Sequence, residues 1–387
     1  MRYLMGNEVG RQPGASAGEE RILPRLLRRS GIITSGGGVG CDGDNNEHKT
    51  FRQLYMLQGR IGTGSHSQVF RAVERATGRE VAVKAVNTDT GGWLDRDRRH
   101  LAFLREEISV HQEVSGHPFV VDLLGVFEDP EACYIVEELA HGGSLLDHLH
   151  SRASMGTEGE VRLLLRRLLE ACGFLHHRRI VHRDIKVSHA SCVAQRRTCV
   201  YVSPENILVM DDGVMHSGKL ADFGFALRLD PSPPPMIAVG TPEYIAPEVL
   251  LQQPFDGRAD VWSAGVTAFC LLSGALPFRG LTLDKLYTAV LDGACSYTGS
   301  EWREVSAPAQ DLVRRMLVVD PAQRWTAGEL LQHPWLTGTA GMMVTTLRLG
   351  RRGRVRLKAL VLAVVFVQRL RRGLGRPRPS QRELGSP

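Results

Sequence analysis

The cysteines of this 387-residue chain are few and scattered, and none of the seven stands in a CxxC pair. Disulfide frameworks and structural zinc sites usually show closely spaced cysteines, so we expect reduced thiols inside the cell. Long apolar runs are missing as well, since none reaches the 18 residues that a membrane-spanning helix needs. These absences predict a soluble globular protein without a transmembrane segment, located in the cytoplasm or, alternatively, the nucleus.

Composition and length leave ample room for a folded core. Hydrophobic residues make up 43% and charged residues 23% of the chain, and 387 residues suffice for one two-lobed enzyme or two modest domains. The formal net charge of +6 is unevenly distributed. From Arg348 onward the chain carries twelve Lys and Arg residues and one acidic residue, Glu383, so its basicity belongs to a tail.

The first 50 residues predict a disordered extension. Residues 31–46 are rich in Gly, Asp and Asn and show almost no apolar periodicity. A transit peptide is an alternative, but Glu8, Glu19 and Glu20 count against it because such segments are poor in acidic residues. N-myristoylation is another alternative, but the candidate glycine, Gly6, is not the second residue.

The stretch from Ile180 to Gly224 carries the residues with the clearest chemistry. It opens with Ile-Val-His-Arg-Asp-Ile-Lys, resumes with Pro-Glu-Asn-Ile-Leu and closes on Asp-Phe-Gly. Its polar residues suit phosphoryl transfer, because one carboxylate can orient a hydroxyl, a lysine can steady the moving phosphate, and an amide with a second carboxylate can hold Mg²⁺. The residues for these tasks, in the same order, are Asp184, Lys186, Asn206 and Asp222.

These motifs resemble, in their order, the H-R-D-x-K…N and D-F-G motifs of eukaryotic protein kinases. The resemblance covers about residues 55–337 and is strongest to the calcium/calmodulin-dependent group. It implies an α+β, bilobal protein-kinase fold, with a small, mostly β N-lobe over residues 55–139 and a larger, mostly α C-lobe over residues 140–337. It also implies ATP and Mg²⁺ as cofactors and a protein as the substrate.

One departure from the family pattern lies inside this stretch. Asn206 follows Asp184 by 22 residues, whereas the family spacing is five, and removal of residues 187–203 restores the run Asp-Ile-Lys-Pro-Glu-Asn. Three interpretations of this insertion stay open. It is a tolerated surface loop, since loop-closure entropy grows slowly with length; it inactivates the site and leaves a pseudokinase; or it is translated non-coding sequence from mis-splicing.

A glycine-containing segment between the first two predicted strands resembles the loop that covers the ATP phosphates. Glycines there let the backbone approach phosphates without a Cβ clash. Ser67 replaces the third glycine of the family, which predicts a modest change in loop flexibility. The resemblance assigns nucleotide contacts to Ile61, Gly62, Thr63, Gly64, Ser65, His66, Ser67, Gln68 and Val69.

Two further residues complete the implied phosphate-binding machinery. Lys84 ends the alternating run Val-Ala-Val-Lys and resembles the lysine that contacts the α- and β-phosphates. Glu107 lies on a predicted helix over residues 101–114 and is the expected partner of Lys84, in preference to its neighbour Glu106.

The hinge between the predicted lobes follows a buried strand pattern at residues 134–136. By resemblance, Glu138 and Ala140 offer backbone groups to adenine. Glu137 then occupies the gatekeeper position, where a carboxylate costs desolvation free energy unless it is paired. Ser144 stands where kinases that prefer arginine three residues before the target often carry Glu, which argues against a strong preference of that kind.

A later run, Gly-Thr-Pro-Glu-Tyr-Ile-Ala-Pro-Glu, resembles serine/threonine rather than tyrosine kinases. Within it, Thr241 is expected to bridge Asp184 and Lys186. The usual phosphorylation site of the preceding loop falls at Ile237, and Ser232 is the only hydroxyl nearby. We therefore hypothesise that activation does not require phosphorylation of this loop.

The end of the C-lobe carries structural residues of the same family pattern. Asp260 is expected to cap the backbone of the Asp184 loop, and Arg324 to form a buried ion pair with Glu248. The run His-Pro-Trp-Leu at residues 333–336 marks the usual end of the domain.

Residues 338–387 form the basic tail, with a candidate regulatory helix over residues 351–372. Such a basic amphipathic helix is typical of calmodulin targets, and in the resembling group it can also block the active site. Alternatives are weak binding to an anionic membrane surface, packing against the C-lobe and a reading-frame error. The apolar face consists of Leu357, Val361, Val364 and Leu370.

The sequence thus predicts a serine/threonine protein kinase that acts as a monomer. No nucleic acid is expected as a partner, because no DNA- or RNA-binding motif accompanies the charge. The rival hypothesis is a non-catalytic, kinase-like scaffold in which the insertion uncouples Asn206 from Asp184.

Overall fold

The computed structural model of this chain describes residues 49–64, 67–87, 94–129, 132–152, 156–186, 206–229, 240–297 and 302–338. The N-terminal extension to residue 48, the insertion 187–203 and the candidate helix 351–372 therefore lie outside the described residues. The same holds for Ser65, His66, Ser232 and Ile237.

An antiparallel sheet forms the first part of the described chain. Its strands are β1 (Tyr55–Thr63), β2 (Ser67–Glu74), β3 (Glu80–Asn87), β4 (Leu123–Glu128) and β5 (Ala132–Glu138). They lie in the order β1-β2-β3-β5-β4. The run of β-branched and small residues in β3 suits this central position, where Val81 and Val83 are buried. The register places Lys84 of β3 opposite Val69 of β2, next to the glycine-containing loop.

A short helix, α1 (Phe51–Leu54), precedes the sheet and packs on it. Phe51 is buried and stacks on Tyr134 of β5, with ring centroids 4.2 Å apart and planes 3° from parallel. Thr50 begins the helix with a capping box closed by Gln53. The packed region thus starts a few residues earlier than the sequence pattern predicts.

Helix α2 (Leu94–Val114) crosses the sheet and supplies two residues to the site described below. Leu104 and Ile108, one helical turn apart, are buried in a cluster with Val126 and Ile135 of the sheet. This packing fixes the face on which Glu107 lies. The helix extends seven residues further toward its N-terminus than the predicted range of 101–114.

Helices make up most of the second part. They are α3 (Leu145–Arg152), α4 (Glu158–His177), α5 (Pro247–Leu250), α6 (Arg258–Ser273), α7 (Leu283–Leu291), α8 (Ala307–Met316), α9 (Ala327–Leu331) and α10 (Pro334–Thr337). Helix α6 is buried along nearly its whole length, as expected for a helix that is apolar on all sides. Helix α4 begins at a capping box formed by Thr157 and Glu160.

Two small antiparallel sheets lie beside these helices and position the candidate residues. One pairs β6 (Ile180–Val181) with β9 (Leu227–Arg228), and the other pairs β7 (Ile207–Val209) with β8 (Gly218–Leu220). Asp184 follows β6, Asn206 directly precedes β7, and Asp222 follows β8. The predicted α+β class, with a β-sheet N-lobe and a helical C-lobe, is confirmed.

Candidate active site

The loop that carries Asp184 is held by a buried carboxylate. Asp260, in the first turn of α6, accepts hydrogen bonds from the backbone N–H groups of His182 and Arg183, both at 2.9 Å. Arg183 has a left-handed backbone with φ of 65°, a strained conformation that needs such support. Burial would raise the pKa of Asp260, but a hydrogen bond with His176 helps to keep that pKa below its ordinary value. The carboxylate therefore stays ionised and fixes the loop.

Three predicted residues meet on this loop. Lys186 Nζ donates to Asp184 Oδ2 at 2.6 Å, and the two residues are only 1% and 4% exposed. Asn206 Nδ2 donates to both the backbone oxygen and Oδ2 of Asp184, each at 2.7 Å. Burial raises the pKa of Asp184, and the charge of Lys186 opposes that rise. The 22 residues between Asp184 and Asn206 thus leave their side chains in direct contact.

Asn206 also presents an unused acceptor. Its Oδ1 is buried and has no hydrogen-bond partner among the described residues. Its backbone oxygen accepts from the N–H of Ala221 at 2.9 Å, one residue before Asp222. The amide oxygen of Asn206 and the carboxylate of Asp222 are hard oxygen donors, the kind of ligand that Mg²⁺ prefers. These residues therefore fit a divalent cation.

Lys84 connects the N-lobe sheet to the segment that carries Asp222. Its Nζ lies 2.5 Å from Glu107 Oε1 and 3.1 Å from Asp222 Oδ1. Burial would raise the pKa of Asp222, but the charge and hydrogen bond of Lys84 lower it to about 2. Glu107, rather than Glu106, is the helix carboxylate that contacts Lys84, since Glu106 pairs with Arg228.

The glycine-containing loop lies beside Lys84 through the β1–β2 hairpin. Gly62 pairs with Val69, and the N–H of Gly64 donates to the backbone oxygen of Ser67 at 2.8 Å. A Cβ on Gly64 would lie 2.6 Å from Ser67 Oγ, so a larger residue there would require the Ser67 side chain to rotate away. Ile61, Thr63 and Gln68 are also described and belong to the same hairpin.

At the end of β5, Glu138 is tied to its surroundings by both its backbone and its side chain. Its N–H donates to the backbone oxygen of Asp122 at 3.1 Å, and its carboxylate binds Lys219 Nζ at 2.5 Å. The backbone oxygen of Ala140 accepts from the N–H of Gly143 at 3.2 Å. The segment between the lobes is therefore held in one conformation on its C-lobe side.

Thr241 lies next to the Asp184 loop. Its Oγ1 is 3.4 Å from Asp184 Oδ1. The preceding Gly240 has φ of 111°, and a Cβ there would lie 2.8 Å from the backbone oxygen of Arg183. Glycine is thus needed for Thr241 to approach the carboxylate.

Arg228, on β9, ties the segment after Asp222 to helix α2. Its Nε lies 3.2 Å from Glu106 Oε1, its Nη2 donates to Ser109 Oγ at 3.0 Å, and its Nη1 pairs with Glu113. One guanidinium therefore contacts three residues on successive turns of α2. No sequence motif marked this arginine. Its role becomes visible only in the structure, from its contacts with the helix.

A second residue that the sequence did not reveal is His111 on α2. Its ring packs against Phe223, with centroids 4.9 Å apart, and its Nδ1 lies 3.6 Å from Glu137 Oε1. The spacing of four residues after Glu107 is the only sequence signal that could have indicated it, because such residues share a helix face.

Arg324 and Glu248 form the expected ion pair within the C-lobe. The two side chains are 0% and 1% exposed, and the guanidinium reaches both carboxylate oxygens, at 2.7 and 2.9 Å. The remaining donors bind backbone oxygens, which are those of Val318, Val319 and Arg258.

The described ranges contain neither a candidate membrane span nor a cluster of His, Cys, Asp and Glu side chains suited to a metal ion. None of the helices there is long and apolar enough to cross a membrane. No group of three or more His, Cys, Asp or Glu side chains within those ranges is arranged to hold a metal ion.

Comparison with known proteins identifies the family. The family model described as the protein kinase domain matches residues 55–193 and 199–336, well over half of the chain. The chain therefore belongs to the protein kinase family, and the resemblance seen in its sequence is confirmed at that level. Family membership implies the use of ATP and a divalent cation, and protein substrates.

Individual relatives are serine/threonine kinases. Serine/threonine-protein kinase H1 of Homo sapiens is 36% identical over 288 residues, which cover 74% of this chain and 62% of that protein. Serine/threonine-protein kinase H2 of Homo sapiens is 34% identical over 298 residues, covering 76% and 70%. Calcium-dependent protein kinase 29 of Arabidopsis thaliana is 33% identical over 286 residues, covering 74% and 49%. The chain thus spans about six tenths of the kinase H1 relative and half of the plant kinase.

Proposed function

We propose that this chain is an active serine/threonine protein kinase, which transfers the γ-phosphoryl group of ATP to hydroxyl groups of proteins. The observation that carries the proposal is the convergence of Asp184, Lys186 and Asn206. An insertion that uncoupled the loop would separate Asn206 from Asp184, yet both contacts of its amide nitrogen are 2.7 Å long. This geometry favours the tolerated loop over the inactivating insertion.

The residues of the loop divide the chemistry among them. Asp184 accepts the proton of the attacking hydroxyl, and Lys186, 2.6 Å away, stabilises charge on the transferred phosphoryl group. Thr241 supports the orientation of the Asp184 carboxylate from its other oxygen, 3.4 Å away.

The nucleotide lies between the lobes in this proposal. The segment Ile61–Val69, including Ser65 and His66, covers the phosphates, and Lys84, held by Glu107, contacts them. The backbone groups of Glu138 and Ala140 bind adenine. Asn206 and Asp222 hold Mg²⁺, which when bound neutralises charge on the phosphate oxygens. The buried, unpartnered Oδ1 of Asn206 supports this assignment.

The test compares the full chain with a variant that lacks residues 187–203. Both are incubated with Mg²⁺ and γ-labelled ATP and a generic basic Ser/Thr peptide, and phosphate transfer is measured with and without EDTA. Because Asn206 and Asp184 already meet, we expect transfer by both proteins and none with EDTA.

Two outcomes would contradict the proposal in different ways. If only the deletion variant is active, the insertion blocks a competent site, and this chain is a mis-spliced or switched-off form. If neither is active but both bind nucleotide in a fluorescence titration, the scaffold hypothesis holds.

Activation without loop phosphorylation is the next part of the proposal. Arg228 holds helix α2 through three side chains, and this leaves no need for a phosphate to position the helix. We expect phosphatase treatment to leave activity unchanged. Arg228→Gln should lower activity by roughly 3- to 150-fold, because its three contacts with α2 contribute roughly 0.2–1 kcal/mol each.

The control for Arg228 is Arg71→Gln, which removes an exposed ion pair with Glu80 elsewhere on the N-lobe. Loss of activity on phosphatase treatment, or equal effects of the two substitutions, would show that Arg228 does not replace a phosphate.

For the tail we propose that residues 351–372 bind calmodulin. When calmodulin is absent, the same segment blocks the active site. Similarity to a relative named as calcium-dependent supports regulation of this kind. A peptide of this segment should bind calmodulin only with Ca²⁺, and replacing both Val361 and Val364 with Asp should abolish binding. Calcium-independent binding, or binding to anionic vesicles alone, would favour the membrane alternative.

We further propose a cytoplasmic or nuclear monomer, which cell fractionation and size-exclusion chromatography would check.

A further inference from the structure

A carboxylate lies within the central sheet of the N-lobe, where apolar residues would pack without cost. Glu137 belongs to β5 and is paired on both sides, with Ala82 of β3 and Leu123 of β4. Its side chain is 15% exposed, and burial raises its pKa. A carboxylate in such a place costs desolvation free energy unless another group binds it.

His111 is that group. It lies one helical turn beyond Glu107 on α2 and is 2% exposed. Its Nε2 lies 2.8 Å from the backbone oxygen of Val121. A carbonyl oxygen only accepts hydrogen bonds, so Nε2 carries a proton. The other ring nitrogen, Nδ1, therefore faces Glu137 Oε1 at 3.6 Å.

The protonation of the two groups follows from this tautomer. With neutral His111 and ionised Glu137, lone pairs on Nδ1 and Oε1 would face each other and repel. At 3.6 Å the contact is electrostatic rather than a hydrogen bond, and a proton on either atom makes it attractive. The charged groups around Glu137 are Lys84 on β3, Glu107 on α2 and Asp222 after β8. The attraction thus joins helix α2 to strand β5.

The position of His111 connects this contact to the nucleotide site. Its ring packs against Phe223, the residue after Asp222. Glu107, four residues earlier on the same helix, binds Lys84 at 2.5 Å. A shift of α2 away from β5 would therefore move Glu107 away from Lys84.

We propose that His111 and Glu137 form an electrostatic clasp that positions helix α2, and through Glu107 positions Lys84 for the nucleotide. The nucleotide part rests on the proposed function; the positioning of α2 does not. His111 and Glu137 are positioning residues, since they act through Glu107 and Lys84.

The test compares two substitutions of Glu137. Glu137→Gln keeps a donor for Nδ1 and the shape of the side chain, so it should retain the clasp. Glu137→Leu removes the polar contact and should open it. Glu74→Leu, at the end of β2 and two strands away from β5, is the matched control for loss of a partly buried carboxylate.

Two measurements are made on the full chain. Amide hydrogen exchange over residues 101–114 should be faster in Glu137→Leu than in the wild type, and unchanged in Glu137→Gln and Glu74→Leu. Of these three variants, only Glu137→Leu should show a higher dissociation constant for fluorescent ADP with Mg²⁺. A rise of roughly tenfold lies within the range of interaction free energies between coupled neighbouring residues. His111→Leu should reproduce both effects, and the double variant with Glu137→Leu should lose less than the sum of the two single variants.

The outcomes separate the clasp from the proposed function. If no variant binds nucleotide but exchange in α2 responds as described, the proposed function fails and the clasp stands. If exchange in α2 is the same for Glu137→Leu and Glu137→Gln, or the two substitutions to leucine act additively, the clasp is overturned.

Discussion

Replacing Asp184 with Asn lowers the rate of phosphoryl transfer by roughly 10²- to 10⁴-fold, the contribution of a positioned general base. An amide has the shape of the carboxylate but cannot take the proton of the attacking hydroxyl. Nucleotide binding should survive, because Lys84 keeps its contacts with Glu107 and Asp222. The measurement is kcat with saturating Mg-ATP and peptide, together with the dissociation constant for the nucleotide.

Asp212→Asn serves as the control, since Asp212 is an exposed carboxylate in the same lobe. Its kcat should match that of the wild type. If the Asp184 variant kept kcat within a factor of ten, another group would be the base, and the role assigned to the loop would be wrong.

Replacing Arg324 with Ala destabilises the C-lobe by roughly 3–5 kcal/mol, the cost of leaving a buried charge without its partner. Glu248 would lose the bidentate contact at 2.7 and 2.9 Å, and three backbone oxygens would lose a donor. The change is measured as a shift in the urea midpoint of C-lobe unfolding, followed by hydrogen exchange in α6.

Two comparisons sharpen this prediction. Arg166→Ala removes an exposed ion pair with Glu170 and should cost no more than about 1 kcal/mol. The double variant Arg324→Met with Glu248→Leu removes both charges and should be more stable than Arg324→Ala, because apolar pairs often replace buried ion pairs at little cost. A double variant less stable than the single one would mean that the backbone contacts of Arg324, rather than its charge, stabilise the lobe.

Much of the candidate site could be predicted because its residues occur in local runs of characteristic order. Asp184 and Lys186 lie two residues apart, Asp222 precedes Phe-Gly, and Lys84 ends an alternating strand. Such runs are visible without knowledge of the fold. The start of α2 was predicted less well: the helix begins at Leu94 rather than at residue 101, since the ends of helices depend on caps and packing more than on periodicity.

Contacts between distant segments could be predicted only where the family resemblance supplied them, as for Lys84 with Glu107 and Arg324 with Glu248. The sequence raised Glu137 as an oddity but did not provide its partner, because His111 is 26 residues away on a different element. Arg228 is separated from Glu113 by 115 residues. No local pattern links such pairs, which meet only when α2 packs on the sheet.

By itself, the sequence determined the kinase family, the α+β fold class and the identity of the residues with suitable chemistry. The tertiary structure decided whether those residues meet. Asn206 stands 22 residues from Asp184, yet its amide nitrogen lies 2.7 Å from that carboxylate. The reason is physical: reactivity depends on the side chains present, but their distances depend on packing among segments far apart in the chain.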